Sequence, residues 1–130
     1  MKLDHVGIAV SSIEAALEVY GLLGLRALER GPVEAFNVEV CTLDAGEVRL
    51  ELIAPLGPGA VQRFLDGHGS GLHHVAFVVS DLQAELGRLQ ALGARLVDKK
   101  PRPGFGGHLV AFVHPQSANG VLTELVQAGA

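Results

Sequence analysis

The chain is poor in the residues that would mark several common classes of protein. It has one cysteine, Cys41, so no disulfide can form within a single copy. It contains no tryptophan and one tyrosine, and only ten of its 130 residues are lysine or arginine, against fourteen acids, for a formal net charge of −4. A nucleic-acid-binding face normally needs clustered positive charge and stacking aromatics; neither is present, and no nucleic-acid partner is expected. No apolar run approaches the ~18–20 residues of a membrane span, and no charged-then-apolar leader opens the sequence. The expectation is a soluble cytoplasmic protein without a membrane partner. At 48% hydrophobic residues, the chain has enough apolar material for one ordinary domain with a core of its own.

What the sequence does contain is a repeat. His5-Val-Gly-Ile-Ala-Val10 returns as His74-Val-Ala-Phe-Val-Val79, 69 residues later. At the same offset Ser11 maps to Ser80, Ile13 to Leu82, Leu17 to Leu86, Gly24 to Gly93 and Arg26 to Arg95. Ser11-x-x-Glu14 and Ser80-x-x-Gln83 read as capping boxes at two helix starts. Gly24 and Gly93 stand where a helix needs a left-handed residue to end. Each copy reads as a βαβββ unit. In the first, strands are expected at 3–10, 25–29, 36–43 and 47–54, with a helix at 12–23 and a hairpin loop at Asp44-Ala45-Gly46. In the second, strands are expected at 72–79, 95–98, 109–114 and 121–127, with a helix at 82–92. The Pro- and Gly-rich joint at about 57–71 carries a short amphipathic turn with Val61, Phe64 and Leu65 on one face. The fold class is therefore α+β, with repeat one at about 1–56 and repeat two at about 72–128 of a single domain.

Each copy also carries one histidine in its first strand and one acid in its last, Glu51 and Glu124. Side chains alternate along a strand. Val6, Ile8 and Val10 then share the helix-packed face, and His5 shares the opposite face with Gly7 and Ala9. In the second copy Val75, Phe77 and Val79 oppose His74, Ala76 and Val78. The small residues beside each histidine leave room for a ligand, so that face should be a concave cavity. The same parity lets both acids join the histidines there, where a buried carboxylate is costly without a compensating cation. Two imidazoles and two carboxylates make a divalent-metal site, with His5, Glu51, His74 and Glu124 as candidate ligands. Cobalt, manganese, nickel and zinc all suit such donors. If the hairpin loop has three residues, Glu39 pairs with Glu51 and lies beside the metal; with two residues it shifts by one and can face the helices.

These units resemble the vicinal-oxygen-chelate superfamily, which includes glyoxalase I, extradiol dioxygenases and fosfomycin-resistance proteins. Within it, Leu3-Asp-His-Val-Gly-Ile-Ala-Val10, Glu51-Leu-Ile-Ala-Pro-Leu56, Gly71-Leu-His-His-Val-Ala-Phe77, Pro101-Arg-Pro-Gly-Phe-Gly-Gly107 and Gly120-Val-Leu-Thr-Glu-Leu125 resemble the methylmalonyl-CoA epimerases. The resemblance implies metal on His5, Glu51, His74 and Glu124, a CoA thioester substrate, a homodimer, and inversion of an α-carbon through an enolate. Proton transfer then falls to Glu124, with Glu39 or Glu51 as its opposite number. Glu39 stands beside the third-strand position at which some epimerases carry an additional acid. The loop Tyr20-Gly-Leu-Leu-Gly24 is one residue shorter than the usual family pattern. The alternatives are a glyoxalase-I-type lyase acting on a hemithioacetal and a binding or resistance protein without turnover. His73, of opposite parity to His74, is expected to be a strand-end polar residue; Lys99, Lys100 and Arg102 are read as solvated surface.

Overall fold

The computed structural model describes residues 1–129. Their element order is β1 (Lys2–Ala9), α1 (Ile13–Leu22), β2 (Arg26–Val33), β3 (Val38–Ala45), β4 (Val48–Pro55), α2 (Ala60–His68), β5 (Gly71–Val79), α3 (Leu82–Ala91), β6 (Arg102–Pro103), β7 (Leu109–Val113) and β8 (Thr123–Gln127). Among the described residues no helix is long and apolar enough to cross a membrane. The chain forms two compact units, His5–His73, and Met1–Asp4 together with the segment from His74 onward.

In the first unit the strands run in the order β2-β3-β4-β1. β1 lies parallel to β4, with Gly7 opposite Glu51, and the β3–β4 hairpin is antiparallel. Val10, Ile13, Cys41, Leu43, Leu52 and Ala54 form the core between sheet and α1. The second unit repeats this plan as β5-β8-β7-β6. β5 is parallel to β8 with Ala76 opposite Glu124, and Val79, Leu82, Leu86, Ala111, Val113 and Leu125 pack against α3. Both helices therefore bury one apolar stripe on one sheet face, and the opposite face is left for the histidines.

The helix ends repeat in atomic detail. α1 is capped by the Ser12 hydroxyl, which accepts from the Ala15 N–H, and α3 by the Asp81 carboxylate, which accepts from Ala84. These caps lie one residue beyond the expected Ser11 and Ser80, each of which sits in a bend after β1 or β5 has ended. Ser12 and Asp81 are themselves at the repeat offset, so the correction applies to both copies equally. Gln127 adds a tie of its own, accepting from the Leu82 N–H and donating to the Ser80 carbonyl. At the other ends Gly24 and Gly93 take φ of +88° and +84°. There Leu25 N–H reaches the Tyr20 carbonyl and Ala94 N–H the Leu89 carbonyl, the bond that closes a helix through a left-handed glycine.

Elsewhere the fold departs from the expected elements. β2 runs on to Val33 because a bulge between Ala27 and Arg30 lets it resume pairing with β3. The Thr42 hydroxyl plugs that bulge by accepting from the Glu29 N–H. The counterpart expected at 95–98 is reduced to a single bridge, Leu96 to Val113, and pairing resumes as the two-residue β6. The joint contains a full helix, α2, with Val61 buried. Truncating the α3 core at Leu86, which is 1% exposed, tests the helix-side packing. Leu86→Ala should cost about 2–5 kcal/mol of unfolding free energy in urea; a change within a few tenths would remove this residue from the core.

Candidate metal centre

Each unit brings its own histidine and acid together. In the first, Nε2 of His5 lies 3.3 Å from Oε2 of Glu51. In the second, Nε2 of His74 lies 3.0 Å from Oε1 of Glu124. The parallel register explains both contacts. Each acid stands opposite a small residue, Gly7 or Ala76, two places beyond its histidine on the same face. The four are among the most buried polar residues of the chain, His5 at 3%, His74 at 5%, Glu124 at 6% and Glu51 at 9% exposure. A carboxylate so far from water needs a cation or strong donors. An imidazole nitrogen with a carboxylate oxygen is a donor set that divalent transition metals accept, so the residues fit a metal in chemistry as well as in burial.

The surroundings of the two pairs differ. Across the β3–β4 hairpin, Glu51 faces Thr42, whose hydroxyl is committed to the β2 bulge. Across β7–β8, Glu124 faces Phe112, whose ring meets the His74 imidazole edge-on at 5.4 Å between centroids. Nothing local in the sequence marks Phe112 as part of the site. Pairing β7 with β8 from Glu124 outward would have placed it there, had the hairpin register been known.

Glu39 is the clear correction. Ala45 pairs with Val48, so the hairpin loop is the two residues Gly46 and Glu47, and Glu51 pairs with Thr42 instead of Glu39. Gly46 adopts the positive φ, +87°, that the first position of such a loop favours, and the Asp44 carboxylate accepts its N–H. That bond, followed by Arg26, holds the Asp44 carboxyl below its ordinary pKa. The shift of register puts Glu39 opposite Ala54, on the side of Cys41, Leu43 and α1. There Arg30 grips it with Nε at 3.0 Å and Nη2 at 3.1 Å and also bonds Glu14 of α1. These bonds raise the Arg30 pKa, Glu39 contributing most, and lower that of Glu14. Glu39 therefore ties β3 to α1 on the face away from His5 and Glu51.

His114, His73, His68 and Arg102 all have structural partners. His114 accepts the Gln116 N–H through Nδ1 at the start of a one-turn helix. His73 and His68 both lie against the Phe64 ring. Arg102 is paired through Nε with the buried Asp98 at 2.8 Å, so it is more firmly placed than a solvated surface residue. Cys41 is buried, and loss of solvation raises its thiol pKa, the opposite of what a nucleophile needs.

A family model of the glyoxalase/bleomycin resistance protein/dioxygenase superfamily matches residues 4–112, and the chain belongs to that superfamily. Within it, the chain is 44% identical to the uncharacterised protein YqjC of Bacillus subtilis, over 97% of this chain and 91% of that one. It is 35% identical to the ethylmalonyl-CoA/methylmalonyl-CoA epimerase of Cereibacter sphaeroides, over 97% of both. Its fold matches a substituted Streptomyces coelicolor methylmalonyl-CoA epimerase solved with 2-nitronate-propionyl-CoA. The TM-score is 0.92 at 33% identity, covering all of this chain and 96% of the other.

The position of Glu39 generates a direct test. Glu39→Gln should keep the full catalytic rate and lower stability by about 0.2–1 kcal/mol, the scale of a partly exposed ion pair. A rate loss of tenfold or more at unchanged stability would return Glu39 to the site.

Proposed function

We propose that the chain is a metal-dependent epimerase that inverts the α-carbon of methylmalonyl-CoA or a close malonyl-type thioester. The observation that carries the reading is the pair of buried His–Glu contacts, one in each repeat, in a chain similar over its whole length to epimerases of that substrate class. His5, Glu51, His74 and Glu124 would together hold one divalent ion, cobalt, manganese, nickel or zinc. In support, each unit alone sets an imidazole nitrogen beside a carboxylate oxygen, at 3.3 Å in one and 3.0 Å in the other. The whole of residues 1–130 acts as one functional domain on this reading, because each repeat supplies only half of the ligand set.

When bound, the ion supplies Lewis acidity that lowers the cost of placing negative charge on the substrate's thioester oxygen. The protein's own part is acid–base chemistry. One carboxylate takes the α-proton, leaving a planar enolate, and a second acid returns a proton to the opposite face. Glu124 takes the first role. With Glu39 turned to the helix side, Glu51 is the remaining candidate for the second among the acids read as catalytic. Burial of both acids keeps water from competing for the planar intermediate. The same reading carries a cytoplasmic homodimer, and sedimentation as a monomer at assay concentration would remove the dimer.

Single-isomer methylmalonyl-CoA incubated with the chain and a divalent ion in deuterated water is expected to lose its optical configuration and gain deuterium at the α-carbon. No inversion and no exchange, with turnover of a methylglyoxal–glutathione hemithioacetal, would select the lyase alternative; tight ligand binding without any exchange would select a resistance protein. Within the epimerase reading, Glu124→Gln keeps an oxygen donor but loses the base. Its inversion rate should fall about 100-fold or more, the usual scale for a positioned acid–base group, while the domain stays folded by circular dichroism. An unimpaired rate would show that the base lies elsewhere.

A further inference from the structure

The two halves of the proposed site are unequal in one respect that the repeat does not explain. In the second unit the residue across from the acid is an aromatic ring lying against the ligand histidine. In the first it is a small hydroxyl engaged elsewhere. Phe112 stands opposite Glu124 in the β7–β8 pairing, and its ring is nearly perpendicular to the His74 imidazole, at 84°. The ring is therefore in contact with one member of the His74–Glu124 pair and in register with the other. Its backbone is fixed from a third direction. The Asp98 carboxylate, 9% exposed, accepts the Phe112 N–H at 2.9 Å through one oxygen and pairs with Arg102 through the other. The Phe112 carbonyl accepts from Val97 and Asp98. A residue held so firmly, with its side chain edge-on to a ligand imidazole, limits how far that imidazole can turn about its own side-chain torsions.

We propose that Phe112 is a positioning residue for the second half of the metal site. It acts through His74, keeping the imidazole oriented so that Nε2 stays beside the Glu124 carboxylate, and it removes that pair from water on the β7 side. This inference rests on the metal reading given above. Hydrogen-bonding partners that orient a ligand histidine typically change metal affinity by about 10–100-fold when altered; a ring packed edge-on against the imidazole restrains the same rotation, whereas a residue that merely fills the core changes stability and leaves the ligands in place. Thr42 holds the corresponding place in the first half and has no ring to set against the His5 imidazole, so the effect should be confined to the second half.

The test uses the full chain with cobalt(II) as the probe, followed by calorimetric titration and by the visible absorption of the bound ion, which responds to ligand geometry. Phe112→Leu keeps an apolar side chain and should weaken cobalt binding about tenfold and change the visible band, in a protein that remains folded. Phe112→Tyr, which keeps the ring, should restore both. Val113→Ala, next along β7 but in the α3 core, should lower thermal stability and leave affinity and spectrum as in the unaltered chain. Wild-type affinity and an unchanged spectrum in Phe112→Leu would overturn the inference while leaving the metal reading intact. So would equal losses of affinity in Phe112→Leu and Val113→Ala, since the effect would then follow stability. Failure of the unaltered chain to bind cobalt, manganese, nickel or zinc would overturn the metal reading and this inference together.

Discussion

Two glutamates buried in strand interiors are the constraint on which the rest of the molecule turns. Moving an ionised carboxylate out of water costs several kcal/mol even after the protein relaxes, and a strand backbone has no spare donors once its ladder is made. Each half meets the cost in the same manner. A parallel strand brings an imidazole nitrogen to the carboxylate, 3.3 Å away in one half and 3.0 Å in the other. That solution requires a first strand and a last strand side by side, hence a helix crossing over between β1 and its neighbours, and a sheet with one face kept free of helices. The βαβββ plan follows from the placement of one histidine and one acid.

The helix side was largely legible in the sequence because its signals are local. Alternation in His5–Val10 and His74–Val79, glycines at the two helix stops and the repeat offset are all properties of neighbouring residues. Each has a physical counterpart in the structure: Ile8 and Val10 in the first core, Phe77 and Val79 in the second, and left-handed Gly24 and Gly93. The caps were misplaced by one residue in both copies. A serine at the end of a strand and a serine or aspartate at the start of a helix offer the same side-chain oxygen, and only the backbone angle separates them.

The cavity side depends on pairing between strands, and there the sequence was less informative. Whether Glu39 meets Glu51 turned on a loop of two residues or three, and the choice was made by the Asp44–Gly46 bond and by the left-handed Gly46. A one-residue change of register carries a side chain to the other face of the sheet. It moved Glu39 from the expected site to the Arg30 and Glu14 network. The bulge in β2 and the shortness of β6 were hidden for the same reason, since neither has a local signature. Phe112 escaped notice because an apolar residue in a strand looks like core until its opposite number is known.

Duplication explains why the halves agree, and their differences bear on function. The helix faces, the stops and the His–Glu contacts are repeated, while the residues flanking the acids are not: Thr42 beside Glu51, Phe112 beside Glu124. A reaction that removes a proton from one face and returns it to the other needs one positioned acid on each face, and the two need not have matching surroundings. On the proposed reading one ion would be held jointly by His5, Glu51, His74 and Glu124. Metal content per chain, measured by plasma mass spectrometry on the unaltered protein and on His5→Ala and His74→Ala, tests it most directly. One divalent ion per chain, lost in either variant alone, is the predicted result; two ions per chain, or one that survives removal of either histidine, would contradict it.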